Sequence, residues 1–189
     1  MVTAADYEQL PDDLPVPQDD GAAAHLPGTE MPSITLPATT GEAVDLSGVG
    51  HPRAVIYVYP RTGQPGVPLI EGWNDIPGAR GCTPESMGFR DHYAELTALG
   101  VEVLGLSSQD SDYQGELAAR LGLPFPLLSD PSLVLADRLG LPTFTAEGVR
   151  LYKRLTLVLN AGRVEHVFYP VFPPDAHAAQ VVDWLRYAR

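Results

Sequence analysis

Hydrophobic and polar positions divide this chain into short segments of two alternating periods. Ser33-Ile34-Thr35-Leu36 and Ala43-Val44-Asp45-Leu46 alternate at period two around Thr39-Thr40-Gly41, which predicts a β-hairpin. Arg53 to Tyr59 (RAVIYVY) is a near-continuous β-branched and aromatic run ending at Pro60, the pattern of a strand covered on both faces. Val101 to Leu106 predicts a second buried strand, running out into Ser107-Ser108, and Phe125 to Leu128 a short third. Arg150 to Asn160 and Val164 to Pro170 predict a hairpin turning about Asn160-Ala161-Gly162.

Between these runs the period lengthens. Thr83 and Pro84 are helix-start signals, and Phe89, Tyr93, Leu96 and Leu99 then recur at helical spacing, predicting one helix with a buried face. Asp110 or Ser111 caps a helix running through Leu121, with Leu117 and Leu121 at i, i+4 and Gly122 at its end. Ser132 to Leu139 predicts a short helix closed by Gly140, and Pro174 to Ala188 an amphipathic one with Ala178, Val181, Val182 and Leu185 inward. Strands and helices alternate from Arg53 to Asp130, and a hairpin and helix follow. That order is a layered α/β domain.

Composition narrows the picture. At 189 residues and 44% hydrophobic content the chain supports one ordinary core. Residues 1–28 are rich in Ala, Asp, Pro and Gly and bury too little apolar surface to order themselves alone, so they are expected to be a loose tail on a domain of residues 29–189. A net charge of −12 argues against nucleic acid or an anionic membrane surface as partner. One cysteine excludes an internal disulfide, and no signal peptide or membrane-length apolar run is present, which makes a reducing cytoplasm the expected location. The five histidines show no metal-ligand spacing, and no metal or organic cofactor is expected.

The single cysteine, Cys82, sits where a Gly-rich approach gives way to the first predicted helix. A sulfur in a first helical turn meets unpaired backbone N–H groups and the positive end of the macrodipole, both of which favour thiolate. The plain alternative is a small core hydrophobe. The helix start and the nearby arginines favour a reactive thiol.

Gly81-Cys82-Thr83-Pro84-Glu85, followed by Phe89-Arg90-Asp91, resembles the peroxidatic motif of peroxiredoxins, closest to the Q-type, bacterioferritin-comigratory-protein-like branch. Gly105-Leu106-Ser107, the run Leu123 to Asp130 (LPFPLLSD) and the run Arg154 to Asn160 (RLTLVLN) follow in the family's order, so the likeness covers the chain from about Leu26 onward. The resemblance implies a thioredoxin-like fold, a central mixed sheet flanked by helices with an N-terminal hairpin. It also implies that Cys82 attacks a hydroperoxide and becomes a sulfenic acid. Arg154 then aligns with the family arginine that faces the sulfur, and Glu85 with the glutamate that orients it.

The sequence departs from the family pattern at two points. The places of the family Pro and Thr, seven and three residues before the cysteine, hold Asp75 and Ala79, and residues 61–81 read as an inserted loop. Pro60 serves as the family proline if the insertion bulges outward, and Thr62, Thr83 or Ser86 are candidates to replace the missing hydroxyl. Trp73 and Ile76 are expected to pack the loop down. Met87 stands where Q-type relatives carry a resolving cysteine, so an external thiol, such as thioredoxin, glutathione or a similar small thiol, must recycle Cys82. Arg80, Arg90 and His92 are softer candidates, each with an ordinary surface role as the alternative.

The expectation is a one-cysteine thiol peroxidase acting on hydrogen peroxide or organic hydroperoxides, as monomer or homodimer. A redox-sensing or binding module, and a thioredoxin-fold protein that has lost its chemistry, are the alternatives.

Overall fold

The computed structural model describes Thr3 and residues 5–188. One helical turn, α1 (Ala5–Glu8), precedes the predicted hairpin of β1 (Thr35–Pro37) and β2 (Ala43–Asp45). Then follow β3 (Arg53–Val58), α2 (Cys82–Asp91), α3 (Tyr93–Ala98), β4 (Val101–Ser107), α4 (Ser111–Leu121), β5 (Leu127–Ser129) and α5 (Val134–Leu139). The chain ends with β6 (Thr143–Ala146), β7 (Val149–Tyr152), β8 (Leu155–Asn160), β9 (Arg163–Phe168) and α6 (His177–Tyr187).

Five strands form a central sheet in the order β5-β4-β3-β8-β9. β3, β4 and β5 run parallel, whereas β8 pairs antiparallel with β3 and β9, so the sheet is mixed as expected. β3 lies at the centre because its apolar run serves both faces. Ala54, Ile56 and Val58 point into one core with Leu104, Leu157 and the α5 residues Leu135 and Ala136. Val55, Tyr57 and Tyr59 point into the other, with Phe89, Leu117 and Val181 from α2, α4 and α6. Cys82 belongs to this second core.

Three local readings change. The helix after Cys82 is interrupted at His92 (φ −94°, ψ 5°), and Leu99, expected inside, lies 40% exposed beyond the end of α3. The supposed single strand over Arg150–Asn160 is two. β7 turns away to pair with β6 in a separate hairpin, and Lys153-Arg154 link it to β8. The short strand begins at Leu127 rather than Phe125, and the following helix at Val134 rather than Ser132, because Asp130 accepts the N–H groups of Val134 and Leu135 there. Asp110 is the N-cap of α4, accepting the Tyr113 N–H at 2.8 Å, and Gly122 closes it in the left-handed region (φ 61°).

Where the sequence gives a loose tail, residues 5–28 make specific contacts. Tyr7, Ala23 and Leu26 are buried, Lys153 pairs with Asp20 at 2.6 Å, and the Tyr169 hydroxyl donates to Asp20 at 2.8 Å. The inserted loop is pinned by Trp73, which is 3% exposed and packs with Leu69, Ile76, Ala146 and Phe144. Trp73 and Ile76 therefore pack as expected, against a β6–β7 hairpin absent from the sequence reading. No described helix is long and apolar enough to cross a membrane.

Candidate active site

Aromatic packing sets the position of α2. The Tyr57 ring stacks on Phe89 with centroids 4.3 Å apart, and its hydroxyl donates to Ser86 Oγ at 3.2 Å. Gly105 makes room for this ring, since a Cβ there would lie 2.9 Å from the Tyr57 hydroxyl. On the outer side Gly88 lets α6 approach, with Ala178 Cβ 3.5 Å from the place a Gly88 Cβ would take. α2 starts at Gly81 with φ 105°, a conformation L side chains rarely adopt, and Cys82 is its first residue.

Arg154 reaches this helix start from the β7–β8 link. The Lys153 N–H bonds to the Pro142 carbonyl at 2.9 Å, which turns the chain out of the small hairpin and aims the next side chain at α2. Arg154 is 3% exposed. Its Nη2 donates to Cys82 Sγ, to the Ala79 carbonyl and to the Arg80 carbonyl, each at 3.1 Å, and its Nε to the Gly78 carbonyl at 3.3 Å. Nη1 forms the ion pair with Glu85. One planar group thus ties the end of the inserted loop, the sulfur and the first turn of α2 together.

The loop leaves and returns around the cysteine. The Arg61 backbone lies near enough to the sulfur to favour its thiolate, and Arg61, Thr62 and Thr83 all line the small void at Cys82, so the insertion bulges outward beyond Thr62. Pro60 is buried at the end of β3, its carbonyl accepting the Ser107 hydroxyl at 3.2 Å. Thr62 is held by Gln109, whose Oε1 accepts its N–H at 2.9 Å and its hydroxyl at 3.0 Å. Thr83 lines the void, whereas Ser86 is occupied by Tyr57 one turn below. At the position of the family threonine, Ala79 offers a carbonyl, 3.5 Å from the sulfur.

The sulfur's electrostatics differ from the helix-terminus expectation. Burial pushes the Cys82 thiol above its ordinary pKa, the Arg154 charge opposes this, and the Glu85 carboxylate adds to it. The thiol proton has an acceptor in the Ala79 carbonyl. Glu85 is itself raised to about 7 by burial, against the pull of Arg154. Burial would lower Arg154, but Cys82 and Glu85 outweigh it and keep the guanidinium charged.

The softer candidates separate. Arg80 lines the void at Cys82 and extends to the carbonyls of Asp6 and Gln9. Arg90 ties α2 to the Leu121 carbonyl at the end of α4 at 3.0 Å, and His92 pairs with Glu95 at 2.7 Å, both structural roles. Two site residues escaped the sequence reading. Gln109 carries no local signal beyond following the end of β4, and Tyr7 lies 75 positions before the sulfur whose void it lines. A larger cavity of about 210 Å³ touches Arg154 but not Cys82, between Pro17, Ile76, Phe144, Lys153 and Tyr169. No cluster of metal-ligating side chains is present among the described residues.

A buried cysteine opening a helix beneath an arginine, on a mixed five-stranded sheet, is the arrangement of a thioredoxin-like redox protein. The redoxin family model matches residues 26–182. Peroxiredoxin Q of Arabidopsis thaliana chloroplasts is 30% identical over 164 residues, covering 85% of this chain and 67% of its own. Peroxiredoxin Bcp of Escherichia coli is 29% identical over 163 residues, covering 84% and 94%. The structure of peroxidoxin BcpB from Mycobacterium tuberculosis superposes with a TM-score of 0.69 at 27% identity, covering 87% of this chain and 99% of that one. The chain belongs to the redoxin family and, within it, to the peroxiredoxins of the Bcp/Q type.

Proposed function

We propose that this peroxiredoxin is a one-cysteine thiol peroxidase in which Cys82 is the nucleophile and Arg154 its electrostatic partner. The observation that carries this reading is the 3.1 Å contact between Arg154 Nη2 and Cys82 Sγ. As thiolate, Cys82 attacks the terminal oxygen of a hydroperoxide. The O–O bond breaks, sulfur is oxidised to sulfenic acid, and the leaving oxygen departs as water or alcohol after taking a proton. Arg154 and the Arg61 backbone lie near the reacting sulfur, where negative charge builds as the bond breaks.

The other site residues act through these groups. Glu85 is a positioning residue that fixes the guanidinium, and Pro60 follows β3 so that Arg61 and Thr62 come to the void at the sulfur. Thr62, Thr83 and Tyr7 supply the hydroxyls among the described residues that line the void. An external thiol then attacks the sulfenic sulfur, releasing water and forming a mixed disulfide, and a second thiol frees Cys82. Thioredoxin, glutathione or a similar thiol serves, since the chain has no second cysteine. Its place is a reducing cytoplasm, as monomer or homodimer, with residues 29–189 as the catalytic domain and residues 1–28 as an appended segment.

The test is peroxide consumption driven by an added thiol, with dimedone trapping of sulfenic acid. Wild type turns over and traps dimedone at Cys82, and Cys82→Ser does neither. A redox sensor is the second reading, favoured by the burial of Cys82, which is 2% exposed. Oxidation at Cys82 that no thiol reverses selects it.

A further inference from the structure

Residues 6–10 lie across the mouth of the Cys82 site. The Tyr7 ring rests on Gly63 so closely that a Cβ at Gly63 would come within 2.1 Å of it. The Tyr7 hydroxyl donates to the Val67 carbonyl in the inserted loop. The Arg80 guanidinium stands over the ring, 5.7 Å from its centroid, and donates to the carbonyls of Asp6 and Gln9 on either side of it. Leu10 closes on Gly81, where a Cβ would meet Leu10 Cδ2 at 2.9 Å. Tyr7 and Cys82 are each 2% exposed and line the same void. The match to the family model begins only at residue 26, so this cover lies outside it.

We propose that residues 6–10 are a specificity lid, and that the seat of Tyr7 is a subsite for the organic group of an arylalkyl hydroperoxide. This rests on the peroxidase reading above. With Tyr7 seated, a small peroxide needs only a narrow opening to reach the sulfur, whereas a bulky one needs the whole ring displaced. The seat has the chemistry of an aromatic slot. Gly63 is its flat floor, Leu69 and Trp73 are apolar walls, and the Arg80 cation faces the ring. An aryl group entering as Tyr7 leaves would find the same surfaces, beside the reacting sulfur. Arg80 is the hinge of the exchange, because its hydrogen bonds to the lid are to backbone carbonyls and survive any change of lid side chain.

The experiment compares second-order rate constants of Cys82 oxidation by hydrogen peroxide and by cumene hydroperoxide in full-length wild type and Tyr7→Ala. The lid predicts a rise of about tenfold or more with cumene hydroperoxide and less than about threefold with hydrogen peroxide. Equal changes with both peroxides, or no change, overturn it. Alkylation of Cys82 by a maleimide tests the cover without any peroxidase chemistry. It rises in Tyr7→Ala and also in Gly63→Ala, whose added methyl evicts the ring while leaving the lid sequence intact. Faster alkylation in chains that reduce no peroxide leaves the lid standing and removes the peroxidase reading. Unchanged alkylation in both variants removes the lid.

Discussion

Arg154 and Glu85 form an ion pair with side chains 2% and 0% exposed, and the same guanidinium reaches Cys82 Sγ at 3.1 Å. Glu85 lies nearly one helical turn from Cys82 on α2, so a single arginine spans the sulfur and the acid on one helix face. A buried ion pair adds little net stability, since desolvation offsets attraction. Its value here is geometric: the pair, with the carbonyls of residues 78–80, leaves the guanidinium one orientation.

Glu85→Gln keeps the volume and an acceptor for Arg154 but removes the negative charge that raises the Cys82 pKa. The thiolate is therefore expected at lower pH in the variant, measured by ultraviolet thiolate absorbance during titration. The peroxide rate with the thiolate fully formed should fall about tenfold, because a neutral amide holds the guanidinium less firmly than the carboxylate does. A thiolate appearing at higher pH contradicts the electrostatic account.

Tyr57 and Gly105 give a packing test. In Gly105→Ala the new Cβ would stand 2.5 Å from Leu127 Cδ2 and 2.9 Å from the Tyr57 ring. The clash should cost about 1–3 kcal/mol in urea unfolding and slow Cys82 oxidation, because Tyr57 carries α2 through Phe89 and Ser86. Unchanged stability would show that the sheet yields at this point.

Trp73 links the inserted loop to catalysis. Trp73→Ala removes the side chain that packs residues 69–76 on the β6–β7 hairpin, at about 3 kcal/mol. The carbonyls of Gly78, Ala79 and Arg80 follow this loop and hold Arg154, so the peroxide rate should fall in the same variant. Lost stability with full activity would separate the loop from the site.

His177 governs acid stability. It is buried, bonded to Thr156 Oγ1 at 2.8 Å, and burial lowers its pKa from 6.5 to about 4. The folded state resists its protonation, so its contribution is present above pH 6.5 and is lost as pH falls toward 4, by about 3 kcal/mol. Glu85, raised from 4.5 to about 7, acts with the opposite sign, stabilising at low pH and less so as pH rises through 7. Subtracting the His177→Gln stability curve from that of wild type removes the Glu85 contribution. The difference should favour wild type less as pH falls through this window, and a flat difference contradicts the buried neutral histidine.

The sheet was readable because Arg53–Tyr59 and Val101–Leu106 are apolar on both faces, which only a covered central strand tolerates. Cys82 announced itself through its helix-start surroundings, whereas Arg154 was assigned through the family's order alone. The break at Lys153-Arg154 was hidden, since no Gly or Pro interrupts Arg150–Asn160. A signal existed in Glu147-Gly148, whose φ values of 46° and 76° make the tight turn of the β6–β7 hairpin. Tyr7 and Gln109 were out of reach, because their contacts join distant segments and leave no periodicity. The raised Cys82 pKa was missed for a related reason. The helix terminus is local and visible, while the burial that outweighs it comes from the whole fold.

The central claim is that Arg154 activates Cys82. Its most direct test is the second-order rate of Cys82 sulfenic acid formation by hydrogen peroxide in wild type and Arg154→Gln, each above the pH at which its thiolate is fully formed. The account predicts wild type far faster than a free thiol and a loss of about 10²–10³-fold in the variant. Equal rates in the two proteins would contradict it.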